Sequence, residues 1–234
     1  MSIATNLSAN HDRIARAAKR AGRNLDDVAL MAVSKTFPVE SILEAYAAGH
    51  RLFGENRVQE FSDKAGTVVE LHDAEFHMIG HLQSNKAVKA AEIFHAVDSI
   101  DSAKLAERLN AAAQTLNKTL DVLIEINVGG EEVKSGIAPG SPELERILAA
   151  VPEWQHLRVR GLMTVPPFTD DPEGARPYFR QLRELRDRLA VRSLPSVGLD
   201  VLSMGMSHDF EIAIEEGSTC VRIGTAIFGT RSKP

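Results

Sequence analysis

Short apolar runs alternate with amphipathic stretches along nearly the whole chain. Ile3, Leu7, Ile14 and Ala18 recur near helical spacing, and Gly22 follows as a residue suited to a left-handed helix end. Residues 28–33 are apolar throughout and too few for a helix, which suits a strand buried on both faces. Runs of similar character lie at 51–53, 76–79, 95–97, 122–127, 159–163, 201–203 and 220–223. Helical patterns occupy 39–48, 57–64, 84–93, 102–116, 142–150, 173–189 and 210–215. The fourth of these helices has Asp101 as its expected cap and Leu105 and Leu109 on one face.

Eight strands alternating with helices predict parallel βαβ units. A (β/α)8 TIM-type barrel typically takes about 250 residues, so 234 residues are expected to form one barrel domain over 1–234. The alternative is an open doubly wound sheet, which the lack of a G-x-G-x-x-G after the first strand disfavours.

Composition changes this picture little. With 44% hydrophobic and 25% charged residues the chain is neither disordered nor fibrous. The net charge of -5 offers no general attraction for nucleic acid. The single cysteine, Cys220, excludes an internal disulfide and suits a reducing compartment. No run approaches a membrane span and the N-terminus has no apolar signal core, so a cytoplasmic protein without membrane contact is expected.

In a barrel the chemistry belongs at the C-terminal strand ends. Lys35 follows the first strand directly. Its plain reading is a snorkelling surface lysine. The loops after strands seven and eight offer Gly205, Ser207, Gly224 and Thr225, where close backbone approach and hydroxyl donors suit an anion. Their plain reading is turn chemistry. Together, a strand-end lysine and a phosphate site suggest a Schiff base with an aldehyde-bearing phosphorylated cofactor. His77 and His81 read as structural rather than as metal ligands, and Cys220 as core. Arg176, Arg180, Arg183, Arg186 and Arg188 read as a solvated helix face with ion pairs.

The ordered segments Ala32-Val33-Ser34-Lys35-Thr36, 53–60, 77–86, 134–137, 160–164, 202–209 and 217–229 carry a further signal. Across nearly the whole chain the sequence resembles the pyridoxal phosphate homeostasis proteins (the YggS type). The resemblance implies a barrel like the alanine racemase N-terminal domain, with pyridoxal 5'-phosphate held on Lys35. It also implies Arg222 facing the pyridine nitrogen, and Ser207, Gly224 and Thr225 on the phosphate with Ser203 and Gly205 in its lining. Asn56 and Ile79 are implied as ring-side neighbours. Two positions depart from the pattern: Arg57 replaces an expected tyrosine, and His208 an acidic or small residue.

Two functional classes follow. Racemisation needs a second proton donor, and the only tyrosines, Tyr46 and Tyr178, fall in expected outer helices. The sequence ends five residues after Gly229, so the racemase C-terminal domain is not expected and the cofactor face should be open. A cofactor carrier without efficient turnover is therefore expected, acting as a monomer in transient contact with PLP-dependent apo-enzymes. The alternative is a single-domain racemase or related enzyme with Lys35 as base. Lys134 is a candidate second amine during release.

Overall fold

Eight parallel strands close into a barrel in chain order, β8 pairing back onto β1. The computed structural model describes residues 2–131 and 135–230, so Lys134 lies outside the described residues. The strands are β1 (Ala29–Val33), β2 (Leu52–Glu55), β3 (Glu75–Met78), β4 (Ala96–Ile100), β5 (Leu120–Glu125), β6 (Leu157–Met163), β7 (Val197–Met206) and β8 (Cys220–Ile223). The helices are α1 (Ile3–Arg20), α2 (Val39–Ala47), α3 (Val58–Val68), α4 (Ala87–Ile93), α5 (Ala103–Thr115), α6 (Pro142–Ala150), α7 (Arg176–Val191), α8 (Phe210–Glu215) and α9 (Thr225–Phe228). This is the expected barrel, and the open-sheet alternative is excluded.

The period of two along each strand divides inside from outside. On β1, Met31 and Val33 line interior cavities, while Leu30 and Ala32 join the core outside the barrel. The same alternation turns Phe53 and Phe76 outward. Their rings stack at 5.2 Å, and Phe61 of α3 lies 4.8 Å from Phe76 and 4.7 Å from Phe94. Burying several rings in offset contact makes this cluster a principal fastening of the helical layer to β2 and β3.

Helix α1 precedes the barrel and is capped by Ser2, whose hydroxyl accepts from the Thr5 N–H at 3.2 Å. Leu7, Ile14, Ala17 and Ala18 form its buried stripe. Asn6 and Asn10 donate from Nδ2 to the carbonyls of Ile227 and Ala226 at 2.8 and 3.2 Å. These bonds tie α1 to the short α9, an element the sequence pattern did not predict because four residues give no helical period.

Three other details differ from expectation. β7 extends from Val197 to Met206, well beyond 201–203, because its first half is only partly buried and carries no continuous apolar signal. Helix α5 is capped by Ser102, whose hydroxyl accepts from the Leu105 N–H at 3.3 Å. Asp101, the expected cap, is turned instead toward His81. The arginine face of α7 is paired as expected, but its main anchor is Glu216, which receives Arg176, Arg180 and Arg183 within 3.2 Å. No described helix is long and apolar enough to cross a membrane.

Phe61→Ala should lower the unfolding free energy by about 3–5 kcal/mol, the cost of emptying an aromatic site that cannot collapse. Urea unfolding followed by circular dichroism measures it, and a loss below about 1 kcal/mol would show that the ring cluster is not a fastening.

Candidate cofactor site

The C-terminal ends of the strands surround a cavity of about 780 Å³. Lys35 reaches it from the turn after β1, Asn56 from the end of β2, Ile79 and His81 from the segment after β3, and Arg222 from β8. Ser207, Gly224 and Thr225 complete the side formed by β7 and β8.

Arg222 is 3% exposed. Its guanidinium donates to Ser203 Oγ at 2.6 Å and to the Thr164 carbonyl at 2.7 Å. Burial pulls its pKa down, opposed by the surrounding Cys220, Asp98, Glu125 and Asp209. A guanidinium carries only donors and stays charged, so it presents N–H to whatever acceptor occupies the cavity.

Lys35 occupies the second position of a four-residue turn closed by the Phe37 N–H on the Ser34 carbonyl at 3.1 Å. Its Nζ lies 3.5 Å from Asn56 Oδ1, at the outer limit of a hydrogen bond. Asn56 can occupy that place because residue 80 is glycine: a Cβ there would stand 2.3 Å from the Asn56 carbonyl oxygen. Outside the strands, Lys64 of α3 donates to the Ser34 carbonyl at 3.2 Å and to Glu55 and Glu60 at 3.0 Å each. Ser34 Oγ adds a bond to Glu55 Oε1 at 2.9 Å. Burial raises the Glu55 pKa against the pull of Lys64.

On the opposite side, Ser207 Oγ accepts from the Gly224 N–H at 3.3 Å. Two residues expected in the phosphate lining are not in the cavity wall. Ser203 pairs in register with Cys220, below the level of Arg222, and so supports the guanidinium from beneath. Gly205 has φ +95, and a Cβ there would meet Ala213 Cβ at 2.5 Å, so its role is close packing of α8 on β7. The other seven expected residues are gathered around the one cavity.

The sequence reading missed several wall groups. Glu125 accepts from Ser135 Oγ at 3.1 Å, while its Oε2 has no hydrogen-bond partner among the described residues. Burial raises its pKa. His81 is held by Asp101 at 2.9 Å, and His208 pairs with the Thr169 carbonyl at 3.1 Å while packing on Phe168. A histidine before a short polar run signalled the first, but only the fold shows that Asp101 meets it. His77 lies deeper, beside a second cavity of about 140 Å³. Burial alone would lower its pKa, but Asp98 and Glu75 outweigh that and push it up to about 10. Cys220 is buried and its thiol is pushed up to about 12 by burial, which makes it inert core. Among the described residues, no group of three or more His, Cys, Asp or Glu is arranged to hold a metal ion.

Comparison with known proteins places the chain and its fold among relatives. The chain matches the family described as alanine racemase, N-terminal domain, over residues 5–232. It is 47% identical over 231 residues to the pyridoxal phosphate homeostasis protein of Aquifex aeolicus, covering 99% of each chain. The solved structure of PipY from Synechococcus elongatus with PLP bound superposes with a TM-score of 0.83 at 37% identity, covering 97% of this chain and 100% of that one. Alanine racemase of Clostridium difficile shares the fold, with a TM-score of 0.72 at 14% identity, and this chain spans 58% of its length. Matched along its whole length by curated relatives at 44–47% identity, the chain belongs to the pyridoxal phosphate homeostasis protein family.

Proposed function

We propose that this protein binds pyridoxal 5'-phosphate reversibly, as a Schiff base on Lys35, and hands it on rather than turning over a substrate. The observation that carries this reading is the convergence of Lys35, Arg222 and the Ser207–Gly224–Thr225 side on one open cavity. The residues fit the group on chemical grounds. An amine suits its aldehyde, a donor-only guanidinium suits its ring nitrogen, and hydroxyls suit its phosphate. The bound cofactor would supply an electrophilic carbonyl and an electron-withdrawing ring.

The chain's own residues favour holding over catalysis. Arg222 leaves the ring nitrogen an acceptor rather than a protonated pyridinium, which weakens electron withdrawal. The rim is wet: His81, Val165 and Thr225 are all exposed. A wet mouth permits reversible exchange and gives poor protection to a carbanion. Tyr46 is engaged by Asp73 outside the barrel and Tyr178 packs against the core, so neither is a cavity residue. The reading includes a cytoplasmic monomer in transient contact with PLP-dependent apo-enzymes, and no nucleic acid or membrane partner. A second reading, a racemase or related enzyme with Lys35 as base, is favoured by one feature. His81 is oriented by Asp101 on the cavity wall as a second proton carrier would be.

Lys35→Ala should abolish the visible band of the bound cofactor, and borohydride treatment should leave no cofactor on the protein. A peptide map of the reduced wild-type protein with the label elsewhere would reject Lys35. Thr225→Ala should weaken retention by about 1–3 kcal/mol, the range for losing a polar partner. Equilibrium dialysis against pyridoxal 5'-phosphate measures it, and an unchanged constant would remove the hydroxyl from the phosphate site.

A further inference from the structure

The turn that carries Lys35 is strained. Ser34 and Phe37 close it, Lys35 and Thr36 are its central residues, and Thr36 has φ +66. A positive φ confined to the third turn position is the type II arrangement, which favours glycine or asparagine there. A β-branched residue in that conformation is an outlier and persists only where its surroundings impose it. Thr36 is exposed, so burial of its side chain does not hold it there.

One group does. The Thr36 N–H, which a type II turn directs outward, donates to Glu60 Oε1 at 2.5 Å. Glu60 stands in the first turn of α3 and takes Lys64 on the same oxygen at 3.0 Å. Lys64 in turn grips the Ser34 carbonyl, so one ammonium and one carboxylate clasp the backbone on either side of Lys35. Phe37, at the far end, packs on Phe228 at 5.1 Å. Burial alone would raise the Glu60 pKa, but the Thr36 N–H and Lys64 outweigh it and hold the carboxyl below its usual range. The Glu60 carboxyl is thus ionised at neutral pH.

We infer that Glu60 is a positioning residue for Lys35: its carboxylate keeps Thr36 left-handed and so fixes where the lysine amine stands relative to Asn56 and Arg222. Glu60 itself does not line the cavity. It acts through the backbone. The inference rests on Lys35 being the cofactor-bearing amine, and it adds that a strained backbone turn takes part in aiming this amine.

The test is a set of three variants titrated as apo-protein with pyridoxal 5'-phosphate, with the bound-cofactor band read by absorbance and circular dichroism across pH. Glu60→Ala should raise the dissociation constant about tenfold and displace the pH at which the band titrates. Glu60→Gln, which keeps an acceptor for the Thr36 N–H, should stay within about threefold of wild type. Adding Thr36→Gly to Glu60→Ala should return both the constant and the pH profile, because glycine adopts the left-handed conformation unaided. An unchanged constant in Glu60→Ala overturns the inference. So does a loss that Thr36→Gly fails to recover, or a Gln variant as weak as the Ala variant, since either would assign the effect to Lys64 charge or packing. Should Glu60→Ala fail to fold, the Gln variant and the double variant decide alone. A band that survives Lys35→Ala would instead defeat the reading of the lysine, whatever Glu60 does.

Discussion

A guanidinium enclosed at the end of β8 is the constraint on which the site depends. Taking Arg222 out of water carries a penalty of several kcal/mol unless its donors are met. β7 supplies Ser203 Oγ and the segment after β6 supplies the Thr164 carbonyl, so three neighbouring strand ends must keep their register for the charge to be tolerated. No carboxylate within the described residues forms an ion pair with it; Asp98, Glu125 and Asp209 act on it only through space. The remaining donor capacity of the guanidinium is thereby directed to the cavity.

Barrel closure brings the amine to the same place. Met31 of β1 and Met206 of β7 both pair in register with Arg222, which puts the β1 turn and the β7 loop on either side of it. Below the mouth, the cluster of Phe53, Phe61, Phe76 and Phe94 anchors α3 against β2 and β3. Helix α3 is also the element that delivers Glu60 and Lys64 to the Lys35 turn. Packing energy in the outer layer thus secures the polar clasp that aims the reactive side chain.

The alternation of elements made the barrel legible in the sequence, strand-end position made Lys35, Ser207, Gly224 and Thr225 legible as one group, and the family resemblance added Arg222 to it. What escaped depends on contacts between distant segments. Asp101 looked like a helix cap until β3 and β4 placed it against His81. Ser203 and Gly205 lie close to Ser207 in sequence but within β7, where register sets the first beneath Arg222 and the second packs closely on α8. The pairing of Glu125 with Ser135, and the bonds of Glu60 and Lys64 to the Lys35 turn, left no local pattern because each joins residues on different elements.

In the proposed reading, a lysine that carries the cofactor, a donor-only partner for the ring nitrogen and an open rim suit a holder of cofactor more readily than a catalyst. His81, poised by Asp101 on the cavity wall, argues the other way. The most direct measurement is α-proton exchange: cofactor-loaded protein incubated with L-alanine and other amino acids in D2O and followed by proton NMR. The account predicts no wash-out of the α-proton while the bound-cofactor band persists. Catalytic wash-out that requires Lys35 would contradict it and make the protein an enzyme.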